Sequence, residues 1–138
     1  MRKINEIIVH CTATIEGKDF KAKDIDKWHK AQGWKGIGYH YVVDLDGTIE
    51  KGRNENEVGA HCTNHNKNSI GVVYVGGLDK NGKPKDTRTE AQKKALLELI
   101  IALVIKYPQA KIYGHRDFAN KECPCFDVGK EYYNINLK

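Results

Sequence analysis

The sequence has no long apolar run. Its stretches of hydrophobic residues fall well short of the roughly 20 residues that a helix needs to cross a bilayer. A secretory leader is not visible either, because Met1, Arg2 and Lys3 are followed by only a few apolar residues before polar ones return. We therefore expect that the protein does not insert into a membrane. We also expect it to be made in the cytoplasm without a signal peptide, so that action outside the cell would require its release.

Blocks of like charge are also missing. The 23 Lys and Arg residues outnumber the 18 Asp and Glu residues, which gives a net charge of +5, but the lysines are scattered along the whole chain. A basic balance favours an anionic partner such as nucleic acid, an anionic cell-wall polymer or a membrane surface. An aromatic-basic platform or a nucleic-acid motif is lacking. We interpret the charge as a solvated basic surface and expect no nucleic-acid partner.

Cysteine is sparse, and no internal repeat is visible. Cys11, Cys62, Cys123 and Cys125 could in principle form two disulfides. In a chain made in the cytoplasm we predict free thiols instead, one of which is a possible metal ligand. The length of 138 residues suits one domain with a real core and is too short for two, so residues 1–138 are predicted to form a single domain and a monomer.

Apolar patterns alternate between strand and helix types along the chain. Continuous β-branched runs predict buried strands, and apolar residues at a period of 3.6 predict amphipathic helices. A capping box at Thr89 and Gln92 begins the longest helix, and Pro108 limits its end. The interleaving predicts an α/β fold with a central mixed sheet flanked by helices. The predicted strands are 6–11, 38–43, 48–50, 70–75 and 111–113, and the predicted helices are 22–32, 89–106 and 126–132.

Two histidines lie at or just beyond the ends of predicted strands. His10 directly follows the apolar run 7–9 near the end of the strand 6–11, and His115 follows the strand 111–113 in a short segment that also contains Cys123. Strand ends that meet at one edge of a sheet are a common position for binding sites. Two His and one Cys would give zinc three protein ligands and leave its fourth position for water. From spacing alone other combinations of the six His and four Cys stay open.

Other polar residues have both a functional and a plain structural interpretation. Lys121 would favour a Cys123 thiolate and could reach an oxyanion, or it is a solvated loop lysine. Tyr39 could orient a metal-activated water, or it is a half-buried core aromatic; alternation along a strand sends Tyr39 and His40 to opposite faces. His61 could line a cleft or be an ordinary edge residue.

Three further candidates favour the structural interpretation. The pair Asp44 and Asp46 lacks the rest of a calcium loop, so turn chemistry explains it better. His29 on the first helix is predicted to be a packed, hydrogen-bonded residue rather than a ligand. Cys125 could compete with Cys123 for a metal, but the proline between them directs their side chains apart.

An ordered set of short motifs resembles a known family. It is similar to the zinc-dependent N-acetylmuramoyl-L-alanine amidases of the type 2 amidase family, in particular the small phage amidases historically called lysozymes, whose fold resembles that of the peptidoglycan recognition proteins. The resemblance covers the chain from about residue 6 to residue 127. The motifs are IVHCTAT at 8–14, WHKAQGW at 28–34, GYHY at 38–41, DGTIEKGR at 46–53, VGAH at 58–61, NSIGV at 68–72, GHRD at 114–117 and CPCFD at 123–127.

The resemblance implies both a reaction and a metal. The reaction would be hydrolysis of the amide between the lactyl group of N-acetylmuramic acid and the L-alanine of the stem peptide, by zinc-activated water. His10, His115 and Cys123 match the family's zinc ligands. The partner would be bacterial peptidoglycan, reached after release from the cell that makes the protein. Cys125 departs from the family pattern, in which many relatives have Ser or Gly.

The resemblance also implies roles for three residues of the cleft. Tyr39 matches the tyrosine that assists the activated water, and Lys121 matches the catalytic lysine of the phage enzymes. His61 lies where the family's cleft presents a histidine to the substrate. An alternative function is a non-catalytic peptidoglycan-binding module of the same fold. Members that only bind commonly lack the Cys ligand, so the intact set favours the enzyme.

Overall fold

A five-stranded sheet forms the centre of the protein, seen in a computed structural model that describes residues 2–136. Its strand order is β4-β3-β5-β1-β7, with β5 in the middle. All neighbours run parallel except β3 and β4, which form an antiparallel hairpin. The predicted mixed sheet is therefore confirmed. The strands are β1 Glu6–Cys11, β2 Thr14–Ile15, β3 Tyr41–Val43, β4 Ile49–Lys51, β5 Ser69–Tyr74, β6 Gly77–Leu78 and β7 Lys111–Gly114.

Helices cover both faces of this sheet. Val72 and Tyr74 of β5 pack in one cluster with Leu96 and Ile100 of the long helix. Val73, which points the other way because side chains alternate along a strand, packs in a second cluster with Ile25 of the first helix. The mixed α/β architecture follows from these two apolar layers. The helices are α1 Ala22–Ala31, α2 Glu90–Lys106, α3 Val128–Glu131 and α4 Tyr133–Asn136.

The long helix α2 has the ends that its sequence predicts. The Thr89 hydroxyl accepts from the Gln92 amide at 3.0 Å, and the Gln92 side chain accepts from the Thr89 amide at 2.9 Å. The helix ends at Lys106, two residues before Pro108. Gln92 is fully buried and also donates to the Val43 and Val75 carbonyls. The capping side chain therefore also ties the start of α2 to the sheet.

The predicted strand at 38–43 is too long. The regular ladder begins only at Tyr41, because the preceding residues have two different partners. The Gly38 carbonyl accepts from the Ala60 amide at 3.0 Å, whereas the Tyr39 carbonyl accepts from the Arg53 amide at 2.9 Å. A Cβ at Gly38 would lie 2.1 Å from the Ala60 carbonyl oxygen, so this approach needs glycine. The irregular segment leaves the Tyr39 side chain free to face a cleft.

The structure also shows the state of the cysteines and the lengths of the helices. All four cysteines are free thiols, as predicted. Among residues 2–136, no helix is long and apolar enough to span a bilayer. Beside the main sheet, β2 and β6 form a small parallel pair that the sequence patterns did not predict.

Candidate metal centre and its cleft

Parallel pairing of β1 and β7 brings two distant histidines to the same sheet edge. Val9 is the register partner of Gly114, so His10 and His115 are the next residues along adjacent strands. His10 is 1% exposed and belongs to β1, and His115 begins a single 3-10 turn, His115–Asp117, directly after β7. Because both strands run in the same direction, the two imidazoles emerge side by side.

A loop returns Cys123 to these histidines. The Cys11 amide donates to the Cys123 sulfur at 3.1 Å, and the Arg116 amide donates to the Cys123 carbonyl at 2.8 Å. Ligand atoms of His10, His115 and Cys123 all lie within 4.8 Å of one another. The trio that the resemblance implied is thus brought together by the fold.

The nitrogen spacing in this trio suits a tetrahedral metal. The Nδ1 atoms of His10 and His115 are 3.2 Å apart. Two nitrogen ligands about 2.05 Å from a tetrahedral zinc would be separated by roughly 3.3 Å. Imidazole and thiolate ligands are those that zinc prefers. The three residues therefore fit a zinc ion with one further position for a non-protein ligand.

Electrostatics favours the ligand forms of the three side chains. Burial, followed by the charges of nearby histidines and Lys121, lowers the pKa of His10 well below its usual value. Burial and the Lys121 charge also lower the pKa of His115. Hydrogen bonds from Cys11 and the Lys121 charge lower the pKa of Cys123. Neutral imidazoles and a thiolate are the protonation states that bind a metal.

A cleft of about 470 Å³ opens beside the three ligand residues. The Tyr39 ring meets the His10 ring edge to face, with 5.0 Å between the ring centroids. Burial raises the pKa of Tyr39, so its hydroxyl stays protonated at neutral pH. His40, the next residue, points away and accepts from the Gly71 amide at 3.0 Å, as strand alternation predicts. The lining consists of His29, Gln32, Trp34, Tyr39, Ala60, His61, Cys62, Thr63, Asn66, His115, Phe118, Ala119 and Lys121.

Lys121 is an exposed lysine in the rim of this cleft. Among the described residues its ammonium group has no hydrogen bond or ion pair shorter than 4.0 Å, and its charge acts on His10, His115 and Cys123. An unpaired cation beside a candidate metal centre is available to an anionic group of a ligand. The structure thus places Lys121 near His10, His115 and Cys123.

His61 lines the cleft but is bonded to the protein through both ring nitrogens. Its Nδ1 lies 2.8 Å from His10 Nε2, and its Nε2 lies 3.1 Å from the Ser69 hydroxyl. Burial and neighbouring positive groups lower the pKa of His61 to about 3. The ring is therefore neutral at physiological pH and forms a bridge between His10 and Ser69.

The predictions for His29 and Cys125 agree with the structure. The Gly38 amide donates to His29 Nδ1 at 2.9 Å, so His29 is a hydrogen-bonded helix residue that also lines the cleft. The Cys125 thiol donates to the Gly77 carbonyl at 3.3 Å and lies 4.0 Å from the Cys11 sulfur. Cys125 is outside the ligand trio.

Two aromatic residues of the cleft were not predicted as site residues. Trp34 is 39% exposed, and its ring contacts the His29 ring at a tilt of 52°, with 4.4 Å between ring centroids. Phe118 stacks on His65 at 3.8 Å. A large aromatic in a polar, glycine-bounded segment that no predicted element buries is the signal that could have identified Trp34. Phe118 directly follows the motif at 114–117 and gives no such signal.

Comparison with known proteins agrees with this geometry. A family model described as N-acetylmuramoyl-L-alanine amidase matches residues 1–126. The chain is 42% identical over 135 residues to an endolysin of Klebsiella phage KP32, covering 98% of this chain and 89% of that relative.

Solved structures give the same result. The fold matches the N-acetylmuramoyl-L-alanine amidase LysC from Clostridium intestinale with a TM-score of 0.82 and 31% identity, covering 99% of this chain and 88% of the other. It also matches the Drosophila peptidoglycan recognition protein LB with a TM-score of 0.78 and 26% identity, over 96% and 81% of the two chains. The family model matches nearly the whole chain, and the chain covers most of the length of these relatives. The chain therefore belongs to the N-acetylmuramoyl-L-alanine amidase family and is a peptidoglycan hydrolase.

Proposed function

We propose that this peptidoglycan hydrolase cleaves the amide between the lactyl group of N-acetylmuramic acid and the L-alanine of the stem peptide, and that it depends on zinc. The observation that supports the proposal best is the convergence of His10, His115 and Cys123, with ligand atoms within 4.8 Å of one another, at the edge of an open cleft. Three protein ligands with an open position are typical of catalytic rather than structural zinc sites.

His10, His115 and Cys123 would hold the metal. When bound, zinc acts as a Lewis acid that activates water and polarises a carbonyl oxygen. The chain supplies rigidity to the ligands, because His10 lies in a strand and Cys123 is fixed by a backbone amide of the same strand. A site fixed by backbone groups loses little entropy when its ligand arrives.

Tyr39 would act on the reacting atoms as a hydrogen-bond donor. Its ring contacts His10, and its raised pKa keeps the hydroxyl protonated. A phenol in this state can orient the attacking water and donate a hydrogen bond to the departing amine. This role depends on the hydroxyl and not on the ring. A single substitution that removes only the hydroxyl therefore tests it.

Lys121 would stabilise the negative charge that develops on the attacked carbonyl oxygen. Its ammonium group lines the cleft without a carboxylate partner among the described residues. A cation close to a developing oxyanion lowers the barrier, because the negative charge that it stabilises is present only in the transition state. His61 lines the cleft. The resemblance implies that it faces the substrate there.

The named relatives support a proposal for the setting of this activity. The relative from Klebsiella phage KP32 is an endolysin. We propose that this chain likewise acts on the cell wall after release from the cell in which it is made. The basic balance of +5 would favour approach to an anionic wall polymer.

Mass spectrometry of purified peptidoglycan after digestion tests the proposal. We expect free stem peptides that begin with alanine, beside intact glycan strands. A zinc chelator should abolish their release, and added zinc should restore it. Calcium or magnesium should not restore it, because neither prefers imidazole and thiolate ligands.

Two outcomes would contradict the proposal. Release of disaccharide fragments would mean cleavage of the glycan rather than the amide. An undigested wall that nonetheless sediments with the protein would indicate a binding module of the same fold.

A further inference from the structure

The His61 ring has protein partners on both sides and none of its nitrogens is free. Nδ1 faces His10 Nε2 at 2.8 Å, and Nε2 faces the buried Ser69 hydroxyl at 3.1 Å. A histidine that recognises a substrate through hydrogen bonds needs at least one ring nitrogen directed at the ligand. The contacts of His61 are instead directed at a residue of the metal centre.

The positions of the protons along this chain of contacts follow from the geometry. His10 Nδ1 is the atom near His115 Nδ1, at 3.2 Å, so it is the nitrogen that would bind a metal, and in that role it would carry no proton. The His10 proton then belongs on Nε2, which donates to His61 Nδ1. His61 accepts at Nδ1, so its own proton is on Nε2 and is donated to Ser69 Oγ. Every group in the series has the partner that it needs.

The surroundings of His61 allow this ring position and few others. A Cβ added at Gly71 would lie 2.6 Å from the ring, and one at Gly59 would lie 2.7 Å from it. The Asn66 side-chain oxygen accepts from the backbone amides of His61 and Cys62, both at 2.9 Å. The backbone of His61 is thus fixed by one side chain, and its ring fills a space left by two glycines.

We propose that His61 is a positioning residue that holds the His10 imidazole in the orientation and tautomer that present Nδ1 to the metal. The proposal rests on the proposed zinc site and assigns His61 a role different from the substrate contact that the resemblance implies. A partner of this kind lowers the freedom of the ligand ring and raises its basicity. Ser69 extends the series by fixing the tautomer of His61.

Two substitutions of His61 separate this role from simple packing. In asparagine the amide atoms are two bonds from Cβ, as is His Nδ1, so His61→Asn can still accept from His10. In glutamine the amide atoms are three bonds from Cβ, as is His Nε2, so His61→Gln approximates the contact with Ser69 and not the one with His10. Both substitutes are polar, neutral and smaller than the ring.

The main measurement is metal affinity, by competition with a chromogenic chelator at pH 7.5. We expect His61→Gln and His61→Ala to bind zinc roughly 10–100-fold more weakly than the wild type, the usual cost of losing an outer partner of a metal-ligating histidine. His61→Asn should recover most of the affinity. The visible spectrum of the cobalt-loaded protein should change in His61→Gln and less in His61→Asn, because it reports ligand geometry directly.

Kinetics at saturating zinc provide the second readout. A positioning role predicts a lower kcat with a nearly unchanged KM. Wild-type affinity and spectrum in all three variants, with only KM raised, would overturn the proposal and make His61 a substrate contact. Equal losses in His61→Asn and His61→Gln would also overturn it, because packing alone would then account for them.

The controls keep this test separate from that of the zinc site itself. If the wild type binds no zinc, the proposed function fails before any variant is compared. If His61→Ala does not fold, as judged by circular dichroism, the Asn and Gln pair still decides the result. Ser69→Ala leaves the contact with His10 intact and should weaken zinc binding less than His61→Gln.

Discussion

The backbone amide of Cys11 donates a hydrogen bond to the sulfur of Cys123 over 3.1 Å, although the two residues are 112 positions apart. This bond joins the end of β1 to the loop after β7. A hydrogen bond that donates to sulfur stabilises the thiolate. The main chain of β1 therefore favours the form of this sulfur that a metal would bind.

Cys123→Ser should lose zinc and activity together. Serine keeps the size of the side chain but is a poor zinc ligand at neutral pH, so we expect a loss of affinity beyond the roughly 10–100-fold cost of an outer-shell change. Zinc content after dialysis against a weak chelator measures it. Cys125→Ser is the matched control, because its thiol lies outside the ligand trio and should be dispensable for zinc binding. Full zinc content in Cys123→Ser would contradict the assigned ligand set.

Lys121→Met should keep zinc and lose rate. Methionine retains the length of the side chain and removes the charge, so we expect kcat to fall by about 10²–10³-fold, as for the loss of one oxyanion donor. Lys67→Met, at another exposed loop lysine, is the control and should retain its rate. A wild-type kcat in Lys121→Met would remove Lys121 from the mechanism.

Tyr39→Phe should also keep zinc, because it removes only the hydroxyl. We expect kcat to fall by roughly 10²-fold or more, the usual range for a proton donor in the transition state. Because burial raises the pKa of Tyr39, this group should not cause a decline in wild-type activity between pH 8 and roughly 10, the usual phenol value. A wild-type pH profile that falls in this range, and a Tyr39→Phe profile that does not, would show that Tyr39 ionises there.

Acid should destabilise the metal-free protein through its buried histidines. The pKa of His61 is about 3 in the folded chain and roughly 6.5 when unfolded. Between these values the unfolded state binds more protons, so the free energy of unfolding falls as pH decreases. The contribution of His61 is fully present above about pH 6.5 and changes by at most about 1.4 kcal/mol per pH unit.

Urea unfolding with a chelator present, at pH 7.5, 6 and 5, measures this dependence. The raised pKa of Asp44, about 7, acts in the opposite direction, so a variant comparison is needed. His61→Asn keeps Asp44 and removes one titrating group. Its unfolding free energy should therefore fall less steeply with acid than that of the wild type, and parallel curves would contradict the assigned pKa.

Arg88→Met should destabilise the fold without changing the site. The Arg88 side chain is 2% exposed, and its guanidinium bonds to Asp86 and Glu131 and lies 3.4 Å from the centroid of the Phe126 ring. Its removal leaves two carboxylates without their partner, for which we expect a loss of about 2–4 kcal/mol in unfolding free energy. Chemical denaturation tests this value, with the exposed Lys130→Met as control. A loss below about 0.5 kcal/mol, the usual size of a surface change, would contradict it.

Local sequence patterns were sufficient to predict the elements that have a strong hydrophobic period or a defined end. β1 and β5 are continuous apolar runs, and α2 has a capping box and a proline beyond its end. The residues at 38–40 look like strand by composition, but their partners come from two other segments. Such partners are remote in sequence, so no local pattern shows where the ladder begins.

The candidate site was only partly visible in the sequence. Spacing alone left many combinations of His and Cys, and the ordered motifs selected His10, His115 and Cys123. The contacts of His61 with His10 and Ser69 depend on parallel register and on space left by glycines, which composition does not encode. Trp34 and Phe118 enter the cleft through loop geometry, and a sequence of polar and aromatic residues does not specify a loop path.

The large sequence separation between the candidate metal ligands has a consequence for the lifetime of the protein. His10 and His115 are 105 positions apart, so an ion held by both would close most of the chain into one loop. The unfolded chain lacks this assembled site, so the free energy of metal binding would be added to that of folding. The melting temperature should rise with the logarithm of free zinc above the dissociation constant. If the proposed zinc site is correct, a zinc-poor medium would shorten the survival of the enzyme and also lower its activity, because the ion required for catalysis would also hold the first and last strands of the sheet together.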